Sequence, residues 1–473
     1  MHDPRGSGPR RRVAQVPSTG QLTRSVQRGI LVGLTAASVG VIYGYDLSAI
    51  AGALLFVTEE FGLTTRQQEL LTTTVVIGQI AGALGAGVLA NAIGRKKSTV
   101  LLTVGYALFA VLGASAVSLP MLVAARLLLG VTIGVAVVVI PVYVAESAPT
   151  AVRGSLLTAY QVTILSGIIL GYLAGYVLAG PHGWRWMLGL AAVPATLLLP
   201  LLARLPDTAR WYLLKGRVDD ARQALLQVEP EADIDAQLGE IADALTEGGG
   251  KVSEMVRRPY LRATLFVVTL GFLVQITGIN AIIYYSPRIF SAMGFQGNFA
   301  LLGLPALVQL AGLFAVFVSL LSVDRWGRRP ILLSGIALMI AADAMLIVIF
   351  ANSTSSGLML GFGGVLLFII GFNFGFGSLV WVYAGESFPS RLRSMGSSVM
   401  LTSTLTGNAI IAGFFLTMLH WLGGAGVFAV FGALTVVAFV VVYRFAPETK
   451  GHQLEDIRYF WENGGRWPES TPP

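Results

Sequence analysis

The chain has 473 residues, of which 55% are hydrophobic and only 12% charged, with a formal net charge of +7 and no cysteine. So few charges cannot cover a water-facing surface, for which about 25% is usual. The lack of cysteine excludes disulfides, thiolate metal sites and cysteine catalysis, and four scattered histidines offer no metal-ligand cluster.

Taken in chain order, residues 1–28 are polar and basic without an apolar core, and read as a disordered cytoplasmic tail, not a cleaved signal peptide. Six apolar stretches come next, near 30–57, 70–92, 98–117, 121–144, 155–179 and 185–204. A helix of about 20 residues crosses roughly 30 Å of hydrocarbon, so each stretch is long enough to span a bilayer. A polar segment then covers 206–260. Its stretches "DTARWYLLKGRVDDARQALLQV" and "IDAQLGEIADALTE" place apolar residues three and four apart, which predicts short amphipathic helices lying against the cytoplasmic face of the bundle. "EGGGK" (247–251) reads as a hinge between these helices and the next span. Six further apolar stretches lie near 261–292, 299–323, 330–351, 357–385, 395–419 and 424–445, and a tail covers 447–473. The expectation is an all-α membrane protein with spans 1 to 12: one bundle over 29–205, a cytoplasmic helical linker over 206–260, and a second bundle over 261–446.

With both termini in the cytoplasm, 28 of the 32 Lys and Arg fall on the inner side. Only Arg66, Arg185 and Arg288 fall outside, and Arg126 lies within a span. This is the positive-inside pattern for an even number of spans. It accounts for the net charge through the lipid bilayer, without a nucleic-acid partner.

The chain also repeats itself. "YVAESAPTAVR" (143–153) and "YAGESFPSRLR" (383–393) share Tyr, Glu-Ser, Pro and Arg at an offset of 240, and "NAIGRKK" (91–97) matches "DRWGRRP" (324–330) after the second span of each half. Duplicated bundles related by an axis along the membrane normal are a transporter arrangement, with a solute site near the midplane between them. The repeated motifs put acids and bases at the inner helix ends: Glu146 with Arg153, Glu386 with Arg393, and Arg95 with the pair Arg328 and Arg329. Ion pairs here act as a gate if they break when the halves separate on the inside. The alternative is plain anchoring of topology by charge.

Within the spans, charge is rare and therefore informative. Asp46 stands in "ASVGVIYGYDLSAI" (37–50), and Thr35, Tyr43 and Asp46 fall on one face of a helix. Arg126 is the mid-span cation. Desolvation favours a neutral acid and a guanidinium in contact favours a carboxylate, so a pair that separates and re-forms changes its hold on a proton. A structural salt bridge is the alternative. Asp343 in span 9 reads as a helix–helix hydrogen bond or a protonated acid. In span 7, Asn280 and Tyr284 are four apart and share a face. Gln275 lies five residues before Asn280, outside regular helical alignment, unless Gly278 loosens the turn.

Together these motifs resemble the sugar porter family of the major facilitator superfamily, over about residues 30–456. The carriers are "GYD" (44–46), "NAIGRKK", "RLLLGVTIGVAVVVIPVYVAESAPTAVRG" (126–154), "LPDTARWYLL" (205–214), "QITGINAIIYY" (275–285), "VDRWGRRP", "WVYAGESFPSRLR" (381–393) and "PETKGHQLEDI" (447–457), in order. The resemblance implies the major facilitator fold, with sugar-binding positions at Gln161, Gln275, Asn280, Trp381 and Asn408. It implies an extracellular gate at Tyr284 and Tyr285. It adds Asp207, Arg210 and Glu448 to an intracellular gate network with Arg95, Glu146, Arg153, Arg328, Arg329, Glu386 and Arg393. Asp46 matches the proton-coupling position of bacterial sugar symporters, with Arg126 as its partner.

The pattern is not followed everywhere. Val274 replaces the first of two adjacent Gln, Gly312 replaces a span 8 Asn, Leu405 replaces a span 11 aromatic, and Gly377-Ser378 replaces a Gly-Pro break. "PDTARW" stands where "PESPRW" is usual, keeping the acid and Arg210. The expected function is proton-coupled symport of a sugar, polyol or related small polar solute by a monomer, with the proton as coupling ion and no other cofactor. Alternatives are a proton-coupled exporter of a secondary metabolite or drug-like solute, which the less polar pocket would suit, and a passive sugar facilitator. No nucleophile–base or metal constellation points to an enzyme.

Overall fold

The computed structural model describes residues 30–148, 153–228, 233–246, 252–352, 357–452 and 454–467. The expected amino-terminal tail and the "EGGGK" hinge lie outside them. Among the described residues, eleven helices are long and apolar enough to cross a membrane. The last, Leu392–Phe445, turns at Gly423, where φ is 65° and ψ 175°, so it makes two crossings. Helices are the solution because hydrocarbon offers backbone groups no partner, and a helix satisfies them internally.

Most spans match the sequence expectation, with longer ends. Span 1 is Ile30–Phe61, span 2 Thr65–Ile93, span 3 Arg95–Ala114, span 4 Leu119–Ser147, span 6 Gly183–Arg204 and span 8 Phe299–Trp326. Span 5 is Arg153–Val177 and span 9 is Arg328–Asn352. Two spans are interrupted. Span 7 consists of Leu261–Ile276 and Ile279–Ala292 around Gly278, whose φ of 102° is a conformation glycine adopts without penalty. Span 10 consists of Gly357–Phe374 and Phe376–Glu386 around Gly375.

Lipid tails are as apolar as the side chains, so helix association depends on close packing at small residues. Span 1 meets span 5 at Gly44, where a Cβ would lie 1.8 Å from the Ile164 carbonyl oxygen. Span 2 meets span 4 at Gly130, where a Cβ would lie 2.1 Å from the Val75 carbonyl oxygen. These contacts leave no room for any other residue on the spans that carry Asp46 and Arg126.

The linker forms the expected short helices, Ala209–Leu214, Val218–Val228 and Ile234–Thr246, around a small core of Ala209, Ala221, Ala224, Ile234 and Leu238. Trp211 docks them, its indole N–H donating to the Asn91 carbonyl at 3.2 Å. The side of the protein they occupy is the linker face. Past span 12, Leu454–Glu462 is a further helix, with Trp461 packed 5.2 Å from the Phe266 ring of span 7.

Candidate functional site

Asp46 and Arg126 meet inside the amino-terminal bundle. Arg126 donates from Nη1 to Asp46 Oδ1 at 2.5 Å, and both side chains are almost wholly buried. Spans 3 and 6 hold the surroundings in place. Tyr106 donates its hydroxyl to the Ile42 carbonyl at 3.1 Å, and Tyr45 donates to the Met187 carbonyl at 2.8 Å. A charge pair in so dry a place is tolerated only while in contact; removing one partner strands the other.

A second polar group lies in the carboxy-terminal bundle. Asn280 donates from Nδ2 to Gln275 Oε1 at 2.7 Å, across the interruption at Gly278 that the five-residue spacing requires. Asn408 donates from Nδ2 to the Tyr284 hydroxyl at 3.2 Å, tying span 11 to span 7, while its Oδ1 is buried without a partner. Four of the expected residues thus form one cluster. Trp381 and Gln161 are not hydrogen-bonded into it: Gln161 is half-buried in span 5, and Trp381 is 42% exposed, an open indole face that a solute could cover. Gly312 has a structural explanation. A Cβ there would lie 2.7 Å from Nδ2 of Asn373 in span 10, so the buried Asn373 amide occupies the space that a larger span 8 residue would take. Asn373 was not among the sequence candidates, although "GFNFGFGS" shows an amide in an apolar run.

Opposite the linker face, the bundles are joined. Glu69 of span 2 is buried and accepts from the backbone N–H of Thr417 at 2.7 Å and from its hydroxyl at 2.8 Å. Arg66 donates to the Gly413 carbonyl at 3.0 Å, and Arg288 to Gln68 Oε1 at 3.1 Å. Tyr285 is buried, donates to the Ala412 carbonyl at 2.7 Å and stacks on Phe415. Tyr284 is buried beside it. Glu69 was also missed by sequence reasoning, because an acid near a helix end reads as solvated.

On the linker face, the ion pairs of these motifs among the described residues run across helix ends, as the sequence reading has them, and each stays within one bundle. Arg95 donates from Nε and Nη2 to Glu146, at 3.0 and 3.3 Å, and the Thr208 hydroxyl donates to the same carboxylate at 2.7 Å. Arg210 lies 3.8 Å from it. Asp207 accepts from the Arg95 backbone N–H at 3.0 Å, capping span 3 where an acid complements the helix dipole. Glu448 does the same for span 9, accepting from the backbone N–H groups of Arg328 at 3.0 Å and Arg329 at 3.1 Å. Tyr143 and Tyr383 each donate to a proline carbonyl, Pro206 and Pro447. "PDT" (206–208) and "PET" (447–449) are therefore a further repeat that sequence reading did not pair. Glu386 Oε2 and the Nε atoms of Arg328, Arg329 and Arg393 are buried without partners. The side chain of Arg153 lies outside the described residues.

Asp343 joins spans 9 and 12. Its Oδ2 is 3.0 Å from the Thr435 hydroxyl, which is also 2.8 Å from the Phe431 carbonyl. A hydroxyl has one proton and a carbonyl only accepts. The hydroxyl is therefore shared between two acceptors, and the Asp343 carboxyl links the helices through a neutral partner.

Two bundles joined at one face, with ion pairs kept within each bundle at the other among the described residues, and a buried charge pair and an amide cluster between the faces, define a membrane transporter. The backbone matches the inward-open xylose transporter XylE of E. coli with a TM-score of 0.78, covering 91% of this chain and 99% of that one at 24% identity. This is the major facilitator fold. The chain belongs to the family described as "Sugar (and other) transporter", whose model matches residues 32–461. It is 34% identical over 426 residues to the galactose-proton symporter of Escherichia coli (strain K12), 89% of this chain and 92% of the relative. It is also 34% identical over 435 residues to the arabinose-proton symporter of the same strain, 90% of this chain and 92% of the relative. A probable polyol transporter 3 of Arabidopsis thaliana is 30% identical over 461 residues, 91% of each chain. The family is one of transporters, so the chain is a multi-pass membrane transporter and not an enzyme.

Proposed function

We propose that the chain takes up a sugar, polyol or related small polar solute together with a proton, by alternating access in the cell membrane, working as a monomer with both termini and the linker in the cytoplasm. The observation that carries this reading is the buried Asp46–Arg126 pair. A passive facilitator needs no titratable group there. The proton is the coupling ion: Asp46 holds it in one state and yields it to Arg126's field in another. Solute hydroxyls are bound by Gln161, Gln275, Asn280 and Asn408, with the Trp381 indole as an apolar platform. Tyr284 and Tyr285 close the extracellular side. Arg95, Glu146, Arg153, Asp207, Arg210, Arg328, Arg329, Glu386, Arg393 and Glu448 form the intracellular gate network, whose ion pairs re-form between the halves when the cytoplasmic side closes. The orientation rests on the excess of basic residues on the linker side.

The relatives named as galactose-proton, arabinose-proton and polyol transporters indicate the solute class. A binding screen of sugars, polyols and glycosides against the purified protein identifies the member. Flux of that solute in proteoliposomes under an imposed proton gradient then tests coupling. Accumulation down the proton gradient supports symport. Solute expulsion against incoming protons means export, and flux indifferent to the gradient means passive facilitation.

A further inference from the structure

Beside the Asp46–Arg126 pair lies a cavity of about 10 Å³. That is about the room one water molecule needs. Asp46 and Arg126 line it, and its other walls include Phe109 and Gly113 of span 3, Ala125 of span 4 and Ala191 of span 6. Three polar atoms of the pair have no hydrogen-bond partner: Asp46 Oδ2 and the Nε and Nη2 atoms of Arg126. Buried groups of this kind are as a rule satisfied by protein or by ordered water. No protein group does so here, and the hydroxyl protons of Tyr45 and Tyr106 go to the Met187 and Ile42 carbonyls. One water accepting from Arg126 and donating to Asp46 has the two to four partners that a buried water requires.

The placement of this cavity matters as much as its size. Gly113 lies one residue before the end of span 3, and Ala125 and Ala191 lie in the second and third turns of spans 4 and 6, so the lining is displaced from Asp46 toward the face opposite the linker. Every residue lining it belongs to the amino-terminal bundle, whereas Gln275, Asn280, Tyr284 and Asn408 belong to the other. The central passage on that same face is closed by Glu69, Thr417 and Tyr285. Besides Arg126, the titratable side chains in electrical contact with Asp46 are Tyr43, Tyr45, Tyr106 and Tyr284.

We propose that this cavity is a water site through which Asp46 exchanges its proton with the face opposite the linker, between spans 3, 4 and 6 and apart from the solute passage. The bound water takes a proton from the aqueous side and passes one of its own to Asp46 Oδ2. The carboxylate becomes a carboxylic acid, the water is restored, and Arg126 keeps its charge without its counter-ion. Release runs the same steps backwards. The proposal rests on the coupling role of Asp46 and adds the route by which its proton travels.

The test needs no solute. Infrared difference spectra of the purified protein in liposomes, taken across a pH titration, give the carbonyl stretch of the protonated Asp46 carboxyl as the band that Asp46→Asn removes. Transfer to heavy water shifts that band as its proton exchanges. Ala191→Leu and Gly113→Leu fill the cavity and leave both charges in place. Their band should persist while its exchange becomes much slower than in the unmodified protein. Gly113→Ala is the gentle version, since a Cβ there meets its neighbours at 3.7 Å and beyond, an ordinary contact; it should give an intermediate rate and covers the case in which a leucine variant does not fold. Exchange at the unmodified rate in folded variants overturns the water route. Absence of any titrating band that depends on Asp46 overturns the coupling reading itself, a different result.

Discussion

The two halves keep carboxylic acids inside a membrane in different ways. In the amino-terminal half, Asp46 faces a guanidinium, charge against charge. In the carboxy-terminal half, Asp343 faces a neutral hydroxyl that it shares with a carbonyl. The first arrangement responds to separation, because parting the charges in a dry interior is costly and a proton relieves the cost. The second has no charge to part from and joins two helices. The same contrast recurs on the linker face. Both halves keep one scaffold: a tyrosine on a proline carbonyl and an acid capping the third span of the half. Side-chain pairing differs on that scaffold. Arg95 reaches Glu146 and touches the neutral Asn91 at 3.1 Å. Its counterpart Arg328 is turned toward the charged Asp324 at 3.4 Å, and Glu386 Oε2 is left without a partner. Duplication therefore preserves backbone-level contacts, and one amide-for-acid difference redirects a guanidinium.

The sharpest way to break this comparison is Arg126→Ala. Leaving Asp46 buried and unpaired should lower stability by about 3–5 kcal/mol, seen as a fall in thermal midpoint in detergent. Adding Asp46→Asn should recover most of it; no recovery would mean the two residues do not act as a pair. Asp46→Asn alone should abolish proton-driven accumulation in proteoliposomes while solute exchange across the membrane persists. Unchanged accumulation removes the functional side of the contrast. Next come Glu146→Ala and Glu386→Ala, compared in one melting assay. The first leaves Arg95 and Thr208 without their acceptor and should cost about 1–3 kcal/mol, whereas the second should cost clearly less. Equal losses would erase the asymmetry of the linker face. Asn280→Ala should raise the half-saturation for the transported solute by roughly tenfold, on the order of 1.4 kcal/mol of lost hydrogen bonding. The smallest effect is expected of Asp343→Asn, which keeps an acceptor toward the Thr435 hydroxyl and should move the midpoint by less than about 1 kcal/mol with transport intact. A large loss there would show that the second acid needs its charge.

Much of this molecule is legible in its sequence, for physical reasons. Long apolar runs have one outcome in lipid, so the spans and the amphipathic linker helices can be read directly. The break at Gly278 is implied by the spacing of Gln275 and Asn280, which no regular helix brings together. Asp46 and Arg126 stand out because charge inside a span demands a partner. The features that escape depend on contacts between distant segments. Glu69 looks like a solvated helix end until Thr417 supplies its two donors from 348 positions away. Asn373 fills space that Gly312 vacates, and neither residue alone announces the exchange. The direction in which Arg328 turns depends on a choice between two nearby acids, which is a matter of ångströms.

The tight reversal at Gly423 has a mechanical consequence. Because the single non-helical residue Gly423 separates two helices, spans 11 and 12 form a hairpin with little slack between its arms. One arm carries Thr417, which grips Glu69 in the opposite bundle; the other carries Phe431, whose ring rests on the Gly278 interruption. Between the arms, Tyr285, Phe415 and Phe431 form a stack of rings in face-to-face contact. The outer seal and the bend in span 7 are thus tied to one element through its two arms.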